Sequence, residues 1–500
     1  MKHNEALFYT TSAEFQQQAL RTITEGLEEA GKTGVRVMDS FLYTQGVVSS
    51  LNEGDPARAE EFLSRLEKTL RPNNRSHTSH YFYLSACYYL YAGKIPQAVF
   101  SARKGLDLAL ETGVPISEAV VRLALSRALH ETGDRDEATR ELAAAKGAIL
   151  QTGSSYFQYL YHLTEAYFEY GRKNEAKGLE SLRKAMTLGR EKGFTTLLHF
   201  WRPAVMGRLC ERALEAGLEV GYAQDLIRKL NLVPGEQSMA IESWPWPLKI
   251  FTLGRFQIVR DGKPVQYPVR APRVLLTLLK AIVAFGREGV KEDQLVDTLW
   301  PETDGDTAHQ TFKTTLHRLR QLIGDERAVQ VREGRVILDQ QYCWVDAYGF
   351  ETLLETAEPL WKENQGERDF SMGAVRLAEK ALSLYKGTFL GEEANKSRII
   401  AYQERLRSKL IRAVKRLGSH FEISGQWERA VESYQKGLEV DELAEEFYQQ
   451  LMTSYISLGR RAEAIAVYNR CRKVLQSTLG IDPSPRTEEI CKVLKEKAKD

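Results

Sequence analysis

Residues suited to gripping a charged polymer gather in one stretch of this 500-residue chain, Thr307 to Gly324, TAHQTFKTTLHRLRQLIG. On a helical wheel Phe312, Leu316, Leu319 and Ile323 share one narrow face, the spacing of a helix packed on one side. Gln310, Thr314, His317 and Gln321 fall opposite, flanked by Lys313, Arg318 and Arg320. Short or planar hydrogen-bonding side chains read base edges and cations hold phosphates, so this face has the chemistry of nucleic-acid contact. Thr307 with Gln310 three residues on has the form of a capping box and predicts a helix start at Thr307. A solvated surface helix carries the same residue types, so the neighbouring elements decide between the two.

Those elements begin at Leu248. LKIFTLGRFQIVRDGKPVQY alternates apolar and polar residues and contains Asp261-Gly262, a hairpin signal. An apolar helix is predicted from about Pro272 to Phe285, and a shorter one from Lys291 to Trp300, stopped by Pro301. The Thr307 helix is the third, and AVQVREGRVILD then predicts two strands around Glu333-Gly334. Strands, three helices and a terminal hairpin over residues 248–345 spell a winged helix-turn-helix. Arg332 and Arg335 flank the hairpin turn and are candidates for wing contacts; Arg270 and Arg273, at the start of the first helix, are secondary ones. From His309 to Arg335 there are six Lys or Arg against three Asp or Glu, whereas 248–345 as a whole carries 15 against 12. The positive excess is therefore local to the predicted docking face.

On either side the pattern is helical. Residues 1–232 repeat a Gly-turn-Ala signature, GDPARA from Gly54, GKIPQA from Gly93, GDRDEA from Gly133 and GRKNEA from Gly171, at spacings of 39, 40 and 38 residues. A glycine that closes one helix, followed by an alanine that lets the next pack closely, marks a helical solenoid. It ends near Leu232, and VPGEQS and WPWP in 233–247 break helix and predict a linker. Residues 346–500 return to helix. The expected fold class is thus mainly α: an N-terminal solenoid, a central α+β winged helix and a C-terminal helical domain.

Composition excludes several classes. Hydrophobic content of 43%, charged content of 27% and a net charge of +2 are ordinary for a soluble globular protein and supply no global field. The five cysteines are scattered without a CxxC pair, which fits reduced thiols. No signal peptide and no long apolar run are visible, so a cytoplasmic protein without membrane association is expected. There is no GxSxG, HExxH, GxGxxG or GxxxxGK[ST], so neither an enzyme nor a P-loop ATPase is expected, and no cofactor. His309 and His317 point in different directions and make no metal site. The aromatic runs Tyr81 to Tyr91 and Tyr156 to Tyr170 read as solenoid core, although tyrosines on a concave face can bind an effector. His77 and His80 read as loop residues at the surface.

The first block resembles tetratricopeptide (TPR) repeats of a longer type. In the last block, Leu417, Gly418, Phe421, Ala430, Tyr434 and Gly437 fit the TPR pattern closely, and Ala464 and Tyr468 repeat it 34 residues later. VDAYGFETLL from Val345, ALSLYKGTFLGE from Ala381 and GRRAEAIAVYNRCRKVLQSTLGIDPSPRTEEI from Gly459 resemble the bacterial transcriptional activator domain. Together with an OmpR-type winged helix, it is the arrangement of the Streptomyces antibiotic regulatory protein (SARP) family. The resemblance implies a transcriptional regulator that binds double-stranded promoter DNA, often at direct repeats, and helps recruit RNA polymerase; the expected function is an activator, with a homodimer on repeated half-sites. Its third helix would enter the major groove and its wing would meet the adjacent backbone. The N-terminal repeats, absent before the winged helix in many relatives, would receive a small-molecule or protein effector. The competing expectation is a helical-repeat scaffold whose winged helix binds protein.

Overall fold

The computed structural model describes residues 16–195, 203–266, 273–363, 372–391 and 397–496. The chain divides into two compact units, Met1–Pro245 and Trp246–Asp500.

The first unit consists of helices α1 (Gln16–Thr33), α2 (Asp39–Asn52), α3 (Pro56–Glu67), α4 (Arg75–Tyr91), α5 (Ile95–Thr112), α6 (Pro115–Thr132), α7 (Arg135–Thr152), α8 (Ser155–Gly171), α9 (Glu175–Lys192), α10 (Pro203–Glu215) and α11 (Val220–Lys229). Successive helices pack in pairs and each pair packs on the next. Gly54, Gly93 and Gly133 take positive φ between the helices of a pair, and Ala59, Ala98 and Ala138, five residues on, are fully buried. The fourth repeat departs from the expected register. Gly171 stays helical, and the left-handed residue is Lys173, with φ 61°. Five residues beyond it, Gly178 is buried where a Cβ would press on the Tyr170 ring at 2.9 Å, while Ala176 is exposed. The turn positions are therefore 54, 93, 133 and 173, and the GRKNEA match runs two residues out of phase. At Gly171 a Cβ would lie 3.1 Å from the His130 ring, a close contact.

His77 and His80 lie inside α4 rather than in a loop, because Asn74 caps the helix and accepts the His77 N–H at 3.1 Å. Burial and the neighbouring His77 push His80 down to about 4. Much of the tyrosine content of α4 and α8 is core, with Tyr83 and Tyr159 fully buried. The segment expected as a linker is packed chain: Glu236–Ala240 forms a 3-10 turn, Gly235 N–H donates to Glu211 at 2.9 Å, and Trp244 and Trp246 are buried.

The second unit opens with β1 (Leu248–Phe251), β2 (Gln257–Arg260) and β3 (Lys263–Pro264), then α12 (Arg273–Phe285), β4 (Val290–Lys291), α13 (Glu292–Leu299) and α14 (Gly305–Ile323). There follow β5 (Val329–Arg332), β6 (Arg335–Leu338), β7 (Cys343–Val345), α15 (Asp346–Glu363), α16 (Met372–Leu384), α17 (Ser397–Ile423), α18 (Trp427–Val440), α19 (Glu445–Ser457), α20 (Arg461–Leu479) and α21 (Pro485–Glu496). One sheet has the order β3-β2-β1-β7, with β7 parallel to β1, and the other has the order β4-β6-β5. In α17 to α20, Leu417, Phe421, Ala430, Tyr434, Ala464 and Tyr468 are buried, and Gly418 and Gly437 lie against the Tyr434 and Phe447 rings. Among the described residues no helix is long and apolar enough to cross a membrane.

The shifted repeat is testable. A lysine in the left-handed region carries a cost that glycine does not, so Lys173→Gly should stabilise the chain by about 1 kcal/mol in a urea melt. A fall in stability would place the turn elsewhere.

Candidate nucleic-acid interface

Helix α14 begins at Gly305, two residues before Thr307, with Asp304 at the N-cap and no side-chain cap hydrogen bond. The expected capping box is not formed. Ala308 N–H already bonds to Asp304 O at 2.8 Å, and Asp306 in the first turn suits the positive helix end. The other end is closed by Gly324, with φ 72°, where a Cβ would collide with the Arg260 guanidinium that approaches Ile323 O at 3.4 Å. That guanidinium also faces the negative end of the helix dipole.

Phe312, Leu316, Leu319 and Ile323 are buried, and α14 packs on α12 and α13. His309 ties α14 to α13 through Glu292 at 3.3 Å and Asp293 at 3.5 Å. Gln310, Lys313, Thr314, His317, Arg318 and Gln321 are exposed. Gln321 donates to His317 Nε2 at 3.0 Å, and Thr314 Oγ1 donates to Gln310 O at 3.0 Å. Among the described residues Lys313 and Arg318 have no hydrogen-bond or ion-pair partner. Two cations held exposed without a carboxylate are available to an external anion.

The remaining arginines differ. Arg320 is half-buried and its Nε donates to Val329 O at 2.9 Å, joining α14 to the first wing strand. Arg335 donates to Gly289 O at 2.8 Å and Glu288 O at 3.2 Å, which fixes the second wing strand to the loop before β4. Arg332 stays exposed beside the turn, paired with Asp339 at 2.6 Å. Glu333 and Gly334 both have positive φ, the two-residue turn expected for a tight wing. Arg273 is exposed at the start of α12, and Arg270 lies outside the described residues.

Sequence reasoning missed what holds this face in place. β7 lies parallel beside β1, and directly after it the Asp346 carboxylate collects four donors. They are Thr252 N–H, Leu253 N–H and Ala347 N–H, each at 2.8 Å, and Thr252 Oγ1 at 2.6 Å. The chain after β1 also meets the segment after α16: Leu390 N–H bonds to Thr252 O at 2.7 Å and Gly254 N–H to Thr388 O at 3.1 Å. Beside α12, Arg287 bonds Thr352 at 3.0 Å and pairs with Glu355, while Tyr348 Oη donates to Val283 O at 3.1 Å. Buried Glu351 then accepts Tyr402 at 2.9 Å, Arg405 at 3.0 Å and Lys409 at 2.6 Å from α17. Winged helix and C-terminal helices are thereby one packed body. The signal in the sequence was Asp346 directly after an apolar CWV strand, an Asp at a helix start.

Burial pushes the Asp346 carboxyl up to about 6, against hydrogen bonds that favour its ionised form. A folded pKa above the unfolded value of 3.8 means the folded chain keeps a proton that the unfolded chain has lost. The stability due to this group therefore declines as pH rises from 3.8 to about 6 and is flat above. Asp346→Asn should remove that slope. It should also cost about 2 kcal/mol at pH 7, because its amide NH2 cannot accept the Leu253 N–H. Urea melts across pH check both; an unchanged slope would contradict the assignment.

Residues 345–494 match the family model of the bacterial transcriptional activator domain. Over 264 residues the chain is 26% identical to the regulatory protein AfsR of Streptomyces griseus, a match covering 52% of this chain and 26% of that protein. Over 282 residues it is 25% identical to the transcriptional regulator RedD of Streptomyces coelicolor, covering 54% of this chain and 75% of that protein. The chain thus spans about a quarter of the length of AfsR. A solved structure of Mycobacterium tuberculosis EmbR in complex with a low-affinity phosphopeptide covers 50% of this chain and 65% of its own, at 20% identity and a TM-score of 0.39.

Proposed function

We propose that this chain, whose second unit belongs with the SARP-type transcriptional regulators, is a DNA-binding activator that docks α14 in the major groove of promoter DNA. The observation that carries the reading is the exposed stripe of Gln310, Thr314, His317 and Gln321, bordered by the unpaired cations Lys313 and Arg318. Amide and imidazole groups there are base-reading candidates, and the cations with Arg332 at the wing are phosphate candidates. Arg320 and Arg335, engaged with backbone carbonyls, act chiefly by bracing helix and wing.

Two protomers would occupy repeated half-sites, each with its activator domain rigidly carried beside the DNA to engage RNA polymerase. The N-terminal repeats would receive a signal that shifts the balance between a binding-competent and an incompetent state.

Lys313→Ala with Arg318→Ala should weaken binding to the DNA upstream of the chain's own gene by about 10- to 100-fold and flatten the log-log salt dependence by roughly 2 units. Gel shifts measure the affinity, and a thermal melt should be unchanged because neither side chain has a partner among the described residues. Unchanged affinity would favour the competing reading, a winged helix that binds protein.

A further inference from the structure

A cavity of about 380 Å³ lies among α1, α2 and α3, far in sequence from the winged helix. Its volume is in the range of small-molecule sites. Asp39, the first residue of α2, lines it and is only 7% exposed. Its Oδ1 is buried without a hydrogen-bond partner, although buried carboxylates are normally satisfied. Arg36 and Arg58 line the same cavity, and among the described residues neither forms an ion pair. A third arginine in the wall, Arg65, is already neutralised by Glu61 at 2.5 Å. Tyr43 and Phe62 supply the aromatic surface, their ring centroids 6.5 Å apart, with Arg58 6.0 Å from the Phe62 centroid.

The wall therefore carries the unsatisfied Asp39 and a second carboxylate, the exposed Glu28, together with the unpaired cations Arg36 and Arg58 around one space. A simple anion would leave Asp39 unmet, and a simple cation would leave the arginines unmet. A molecule with a free ammonium and a carboxylate, joined by an apolar body, meets all three demands. We infer that this cavity binds a zwitterionic amino compound of amino-acid to dipeptide size, its ammonium on Asp39 and its carboxylate on Arg36 and Arg58. This deepens the proposal that the N-terminal repeats receive a signal by naming the chemistry of that signal.

The experiment uses the full chain and calorimetric titration with glycyl-L-phenylalanine, L-phenylalanine and L-leucine, against N-acetyl-L-phenylalanine and phenethylamine as probes lacking one charge each. At least one zwitterion should bind, and removal of either charge should weaken it at least 10-fold. Asp39→Asn and Arg58→Gln should each weaken it to a similar degree, with melting temperatures recorded to exclude unfolding. Failure of all three zwitterions to bind overturns the inference, as does equal binding by the acetylated probe or by both variants. If a zwitterion binds as described but DNA affinity in a parallel gel shift does not change, the site stands and the signalling reading falls.

Discussion

One buried carboxylate governs the geometry of the second unit. Asp346 sits where strand β7 becomes helix α15, and its four donors include both backbone amides that follow β1. An ionised group so deeply buried is tolerated only when its oxygens are fully engaged. That requirement fixes three things together: the parallel register of β1 and β7, the start of α15, and the exit of the chain toward Phe389 and Leu390. From there the constraint passes outward. The sheet and α15 hold α12 through Tyr348 and Arg287, α12 packs on α14, and Arg260 and Arg320 fix the far end of α14 to β2 and the wing.

The consequence for recognition is a rigid presentation. A helix that reads base edges gains from being held before the DNA arrives, since ordering it on binding would cost affinity. Most arginines around α14 are engaged with protein; among the described residues Arg318 is left unpaired and lies with Lys313 on the outer face. Division of labour between bracing and available cations thus follows from the hydrogen bonds, not from the charge total, which is close to neutral.

Much of this was legible in the sequence, for physical reasons. The 3.6-residue period of Phe312, Leu316, Leu319 and Ile323, the Asp261-Gly262 and Glu333-Gly334 turns, and the ring-packed glycines of the C-terminal repeats are local signals. What was not legible depends on contacts distant in sequence. The parallel pairing of β7 with β1 joins residues 95 apart, from Leu248 to Cys343, and no local pattern announces it. The fourth repeat misled because Gly171 matches the turn signature yet stays helical, leaving Lys173 to make the turn. Arg320 and Arg335 have the right residue type and position, but only the folded wing reveals the carbonyls they bind.

Contact of phosphates with the exposed face of α14 has a direct signature in salt dependence: fluorescence anisotropy gives the affinity of the intact chain for duplex DNA from its own promoter region between 50 and 200 mM salt. With Lys313 and Arg318 on phosphates, a log-log slope of roughly −2 or steeper per protomer is expected. Binding that is insensitive to salt would contradict it.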